Sequence, residues 1–180
     1  MKRSIINKII QESDEFIKSH GFRLPPFAYF QPSELIAQKR EYQAIFDARL
    51  GWDITDYGEG HFDEKGLFLF TVRNGSMSDL RSGKGMCYAE KIMISRQDQV
   101  SPSHRHIIKT EDIINRGGAT LAIEMFESNA NGEIDLKAPV PVFCDGVAKM
   151  FNAGDILRLH PLAKLTKGAK VRTSGLICLS

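Results

Sequence analysis

Apolar residues between positions 2 and 19 return at helical spacing: Ile5, Ile6, Ile9, Ile10, Phe16 and Ile17 fall largely on one stripe, and Gly21 supplies a stop. An amphipathic first helix is expected there. Leu24-Pro25-Pro26-Phe27 cannot continue it, because two prolines remove donors and hold the backbone extended. A second helix is expected after Ser33, whose hydroxyl can cap the exposed amides, with Glu34 in the first turn and Gly51 as the stop. From about residue 66 the pattern changes to short runs of branched and aromatic residues separated by Gly, Asn, Asp and Ser. Strands are expected at 66–73, 86–95, 103–109, 119–127, 140–151 and 156–160, the fifth of these folded back at Asp145-Gly146, where a tight type I′ turn is favoured. Two helices followed by strands predict a mainly β chain.

Size and charge narrow the partners. A chain of 180 residues with 42% hydrophobic content suits one compact domain with a buried core. With 24 basic and 22 acidic residues, the net charge of +2 gives no field for phosphate backbones or anionic lipid, so neither nucleic acid nor membrane is expected as a partner. The basic start is interrupted by Gln11 and Glu12 before any cleavage site, so it reads as part of the fold. Cys87, Cys144 and Cys178 are an odd count without CxxC pairing, which fits a reducing, cytoplasmic setting. Cys87 and Cys144 read as small core residues, since nothing places a base beside either.

The chemistry concentrates between positions 104 and 118. On a strand His104 and His106 would present both imidazoles to one face, and the four residues before Glu111 allow the chain to turn and bring a carboxylate back to them. Two imidazoles and a carboxylate suit a first-row divalent metal with positions left open for water or substrate. Gly117-Gly118 permits a sharp turn into the next strand. The competing explanation is a chance HxH in a polar strand; with five histidines in the chain, the matching Glu and Gly spacing favours the metal.

His104-x-His106-x4-Glu111-x6-Gly118 resembles the first motif of the cupin barrels, with Asp98 where a glycine is usual. The run Lys109-Thr110-Glu111-Asp112-Ile113-Ile114-Asn115-Arg116-Gly117-Gly118, after Cys87-Tyr88-Ala89-Glu90-Lys91-Ile92-Met93, is similar to the bacterial D-lyxose ketol-isomerases. So are Leu24-Pro25-Pro26-Phe27-Ala28, Leu50-Gly51-Trp52-Asp53 and Leu69-Phe70-Thr71-Val72-Arg73-Asn74-Gly75, in that family's order, over roughly residues 1–161. The resemblance implies a single domain over 1–180: a helical segment at 1–51, a cupin-type β-barrel core at 60–161 and an atypical tail at 162–180. It implies interconversion of D-lyxose with D-xylulose, and of D-mannose with D-fructose, using manganese, with cobalt, iron or zinc as alternatives, in a homodimer. The metal would polarise the sugar carbonyl and acidify the neighbouring C–H, so that a base can move the proton through an enediol. By the same resemblance His104, His106 and Glu111 are metal ligands and Lys109 is the active-site lysine. Glu90 and Lys91 are substrate-contact candidates that a cross-strand charge pair explains equally well. Trp52 and Arg116 match family positions with no role assigned.

The chain departs from the family after Pro161. Gly154 to His160 still resembles the approach to the second cupin motif, but Thr166 stands where its proline is expected and Val171 where the fourth ligand should be. His160 lies before the expected turn and is a poor substitute. The family's proton-transfer glutamate lies beyond the resemblance, and the tail Lys164 to Ser180 is basic without an acid. The expectation is therefore a barrel incomplete at its C-terminal end, from a truncated or frame-shifted gene, with impaired turnover and a raw strand edge. A non-enzymatic barrel that binds sugar or metal and an Fe(II) dioxygenase are the other functions the same ligands would serve.

Overall fold

The computed structural model describes the backbone of residues 1–179 and the side chains of residues 1–173. Two compact units divide the chain, Met1–Gly60 with Leu67–Ile94, and His61–Gly66 with the chain from Ser95 onward.

In the first unit α1 (Arg3–Ser19) follows the predicted stripe in part: Ile9 and Ile17 are buried, whereas Ile5 and Phe16 are exposed. Gly21, at φ +76°, takes the left-handed conformation that stops the helix. A 3-10 turn at Pro26–Tyr29 carries the two prolines' extended entry, and α2 (Pro32–Ala37) and α3 (Gln43–Asp47) replace the single second helix expected. The start of α2 also differs from the expected Ser33 cap. Pro32 takes the first helical position, where a missing N–H costs nothing, and the Glu34 carboxylate accepts from the Gln31 N–H at 2.8 Å.

A three-stranded antiparallel sheet follows, β1 (Gly51–Thr55), β2 (Leu67–Arg73) and, beyond α4 (Met77–Ser82), β3 (Glu90–Ile94), with β2 central. Phe68 and Phe70 of β2 are buried; Trp52 meets them at ring-centre distances of 5.4 and 4.6 Å and donates its indole N–H to the Ala28 carbonyl at 2.7 Å. Phe27 stacks on Phe70 at 5.6 Å. The LPPFA, LGWD and LFLFTVRNG segments are thus consecutive sides of one aromatic core. Gly75 closes the turn after β2 by close approach: a Cβ there would lie 2.1 Å from the Met86 carbonyl oxygen. Cys87 is exposed, against the expectation of a core position, because β3 begins only at Glu90 and residues 86–89 precede the ladder.

The second unit is built from antiparallel sheets of β4 (Glu111–Ile114), β5 (Thr120–Ser128), β6 (Ile134–Asp135), β7 (Val140–Cys144), β8 (Val147–Phe151), β9 (Ile156–Leu159), β10 (Lys164–Lys167) and β11 (Arg172–Leu179). One sheet runs β4-β10-β7-β8, and a second places β5 between β11 and β9. The chain is mainly β, in keeping with a cupin-like fold, and no ring of strands closes among the described residues. Asp145 and Gly146, at φ +49° and +84°, make the predicted hairpin turn between β7 and β8. Ile123, Met125, Val140, Val142, Cys144, Leu159, Leu165 and Val171 form the core. Cys144 stands there as expected; the side chain of Cys178 lies outside the described residues.

The segment after Pro161 is more regular than the sequence suggested. β10 inserts between β4 and β7, and Leu165 and Val171 enter the core. Asn115 anchors this end of the sheet, donating from its side-chain amide to the Ala119 and Leu159 carbonyls, both at 2.9 Å, and accepting from the Gly117 N–H at 3.2 Å. Gly117 and Gly118, at φ +156° and +86°, make the sharp turn foreseen for them. Asn115→Ala would leave two carbonyls short of a donor, one of these bonds being buried, and is expected to lower stability by about 2 kcal/mol in urea unfolding. A change under about 0.5 kcal/mol would show that the Asn115 amide does not anchor the turn. Among the described residues no helix is long and apolar enough to cross a membrane.

Candidate functional site

The two histidines do not sit on a strand. Residues 103–109 form no ladder: His104 makes one isolated antiparallel bridge to Thr173, with both backbone bonds at 3.1 Å, and the chain bends at Ile107-Ile108. Pro102 lacks the N–H that a longer pairing would use on that side. The bend does what four intervening residues were expected to allow, returning the chain into β4 with Glu111 as its first residue.

Despite the missing strand, the side chains meet. The His104 and His106 rings lie 5.3 Å apart, edge to face. Arg105 between them goes elsewhere, its guanidinium lying against Gly132, whose φ of +85° is the left-handed conformation that favours glycine. His106 Nε2 stands 3.2 Å from Glu111 Oε2, and since an ionised carboxylate only accepts, the ring donates. His104 Nδ1 stands 3.1 Å from the Pro102 carbonyl oxygen. In the neutral ring that contact puts the proton on Nδ1 and leaves the Nε2 lone pair for a ligand.

Two lysines complete the cluster. Lys109 Nζ donates to Glu111 Oε1 at 3.1 Å, with its side chain half exposed. Lys167, which the sequence reading passed over, places its Nζ 3.2 Å from Glu111 Oε2 and 3.3 Å from the Val171 carbonyl oxygen, with a side-chain exposure of 0%. Its position follows from register: Lys167 of β10 is the direct partner of Glu111 of β4, and Leu165, two residues earlier on the same face, is in the core. The alternation of Leu165 and Lys167 was the available signal, but a lysine in a basic tail ordinarily points to water.

Electrostatics fixes the charge states. Burial pushes the Glu111 carboxyl up, but Lys167, then Lys109 and His106, outweigh it and hold the group at about 2. Burial lowers His106, against the pull of Glu111, which favours the neutral ring. Two imidazoles and an ionised carboxylate are the donor types a divalent first-row metal takes. Among the described residues no three His, Cys, Asp or Glu side chains stand in ligating geometry, and Glu111 is engaged by both lysines.

Of the remaining predicted positions, Val171 and His160 belong to the same unit as this cluster, Glu90 and Lys91 to the other. Val171 is buried in the core and contributes only its carbonyl, to Lys167. His160 is exposed, with Nδ1 3.2 Å from the Thr120 hydroxyl. In the first unit Glu90 pairs with Arg73, its cross-strand partner, at 3.2 Å. Lys91, on the opposite face of β3, lines a cleft of about 460 Å³ together with Arg49, Trp52, Asp53, Thr71 and Asn74.

A family model described as D-lyxose isomerase matches residues 1–170. The D-lyxose/D-mannose isomerases of Escherichia coli O157:H7 and Serratia proteamaculans are each 43% identical to the chain over 162 residues, covering 89% of it and 70% of their own length. The match runs past Pro161, through β10 and Lys167.

Proposed function

Because this chain belongs to the D-lyxose isomerase family, we propose that it is an aldose–ketose isomerase that converts D-lyxose to D-xylulose and D-mannose to D-fructose with a divalent metal, manganese first. His104, His106 and Glu111 would hold the ion. What supports this reading is their convergence with Lys109 in one cluster of the second unit, within the stretch the family covers.

A bound divalent ion supplies Lewis-acid polarisation of the sugar's carbonyl and neighbouring hydroxyl oxygens. The chain's own groups in this cluster supply charge and orientation, and none of them is assigned the carbon-bound proton. Glu111, held near 2, is far too weak a base at neutral pH to remove a carbon-bound proton, so its role is that of a fixed negative charge. Lys109, half exposed beside it, has a donor to spare for the oxygen on which negative charge develops as the enediol forms. The Pro102 carbonyl holds the His104 ring in the tautomer that offers Nε2. Pairing of two copies and a cytoplasmic setting belong to the same proposal.

Sugar conversion by chelator-treated protein, with and without added Mn2+, is the direct test. Turnover is expected only with the ion, and Lys109→Met is expected to lower kcat by about 100-fold with the metal content unchanged. Conversion that survives chelation, or no conversion by protein with manganese bound, would refute the assignment.

A further inference from the structure

Lys167 has no part in the donor set just described, yet it is the most buried charged side chain at the site. Its ammonium shares Glu111 Oε2 with His106, both at 3.2 Å, while Lys109 takes Oε1 at 3.1 Å. The carboxylate is thus engaged on both oxygens. The second anchor of Lys167, the Val171 carbonyl at 3.3 Å, comes from the residue that stands where a fourth ligand was expected. The segment that would supply a metal ligand therefore supplies a cation.

We propose that Lys167 is a resident cation on Glu111 that competes with a divalent ion for this carboxylate, so that Lys167 sets the metal affinity of the site. The inference rests on reading His104, His106 and Glu111 as the metal-binding set. A positive charge about 3 Å from a ligand oxygen, out of reach of water, repels a dication at that oxygen far more strongly than an exposed lysine would. Lys167 cannot swing into solvent as Lys109 can, because its stem shares the inner face of β10 with Leu165. An ion that takes Glu111 must break the Lys167 contact, and part of its binding free energy is spent on that step.

The test is calorimetric titration of chelator-stripped protein with Mn2+ at fixed pH and ionic strength, for the native chain, Lys167→Met, Lys167→Gln, Lys167→Arg and His106→Ala. Lys167→Gln keeps a donor for the Val171 carbonyl and serves if Lys167→Met does not fold. The neutral variants are expected to bind Mn2+ about tenfold or more tightly than the native chain, and Lys167→Arg to stay near it. Neutral variants that bind no better, while His106→Ala loses the ion, would overturn the role of Lys167 and leave the metal assignment standing. His106→Ala binding Mn2+ as well as the native chain would remove the metal assignment, and this inference with it.

Discussion

Glu111→Ala is expected to lower the stability of the chelated protein by about 3–5 kcal/mol, and adding Lys167→Met to restore most of the loss. With the carboxylate gone, the Lys167 ammonium, at 0% exposure, keeps only the Val171 carbonyl at 3.3 Å. A buried charge without its counter-charge costs several kcal/mol, whereas a buried pair replaced by apolar groups of similar size costs little. His106 also loses its acceptor, but that ring retains 23% side-chain exposure and can turn to water. Lys167 therefore dominates the penalty. Urea unfolding of the native chain, both single variants and the double variant gives the coupling directly. Losses that simply add would mean that the two side chains stabilise the fold independently, and the pairing would carry no weight.

The same pair shows what could be read from the sequence. Local signals were strong enough for α1, β2, β5 and the hairpin at Asp145-Gly146, because helical spacing, β-branched runs and a two-residue turn are each written within about ten residues. The pairwise approaches of His104 to His106 and of His106 to Glu111 were also legible, since they need only a bend between positions 106 and 111, although no three-group ligand set is assembled among the described residues. The strand expected at 103–109 was not formed, and the rings meet across a bend with a single bridge to Thr173. Lys167 was illegible for a different reason. Its place depends on β10 lying between β4 and β7, with Leu165 opposite Ile113 on one side and Cys144 on the other. Such pairings join residues tens of positions apart, and the four-residue run KLTK gives periodicity little to act on.

Acid should unfold the chelated protein in two stages, for reasons that can be traced to the same cluster. His106 has its pKa lowered by burial, so the unfolded chain takes up that proton more readily; stability begins to fall as pH drops through the ordinary imidazole value of 6.5. Glu111 moves from 4.5 to about 2 on folding. Its contribution is complete above the unfolded value and is lost as pH falls through the folded one, about 3 kcal/mol between roughly pH 5 and pH 2. Asp56 and Asp135, both lowered chiefly by backbone N–H donors, act in the same direction, so the acid limb of the native chain alone cannot isolate Glu111. Comparison with Glu111→Leu combined with Lys167→Met removes that overlap, because the aspartates are untouched in both. The native chain should lose stability between pH 5 and pH 2 more steeply than the double variant, by about 3 kcal/mol over the interval. Parallel limbs would mean that Glu111 titrates near its ordinary value, and that neither lysine holds its charge as the geometry requires.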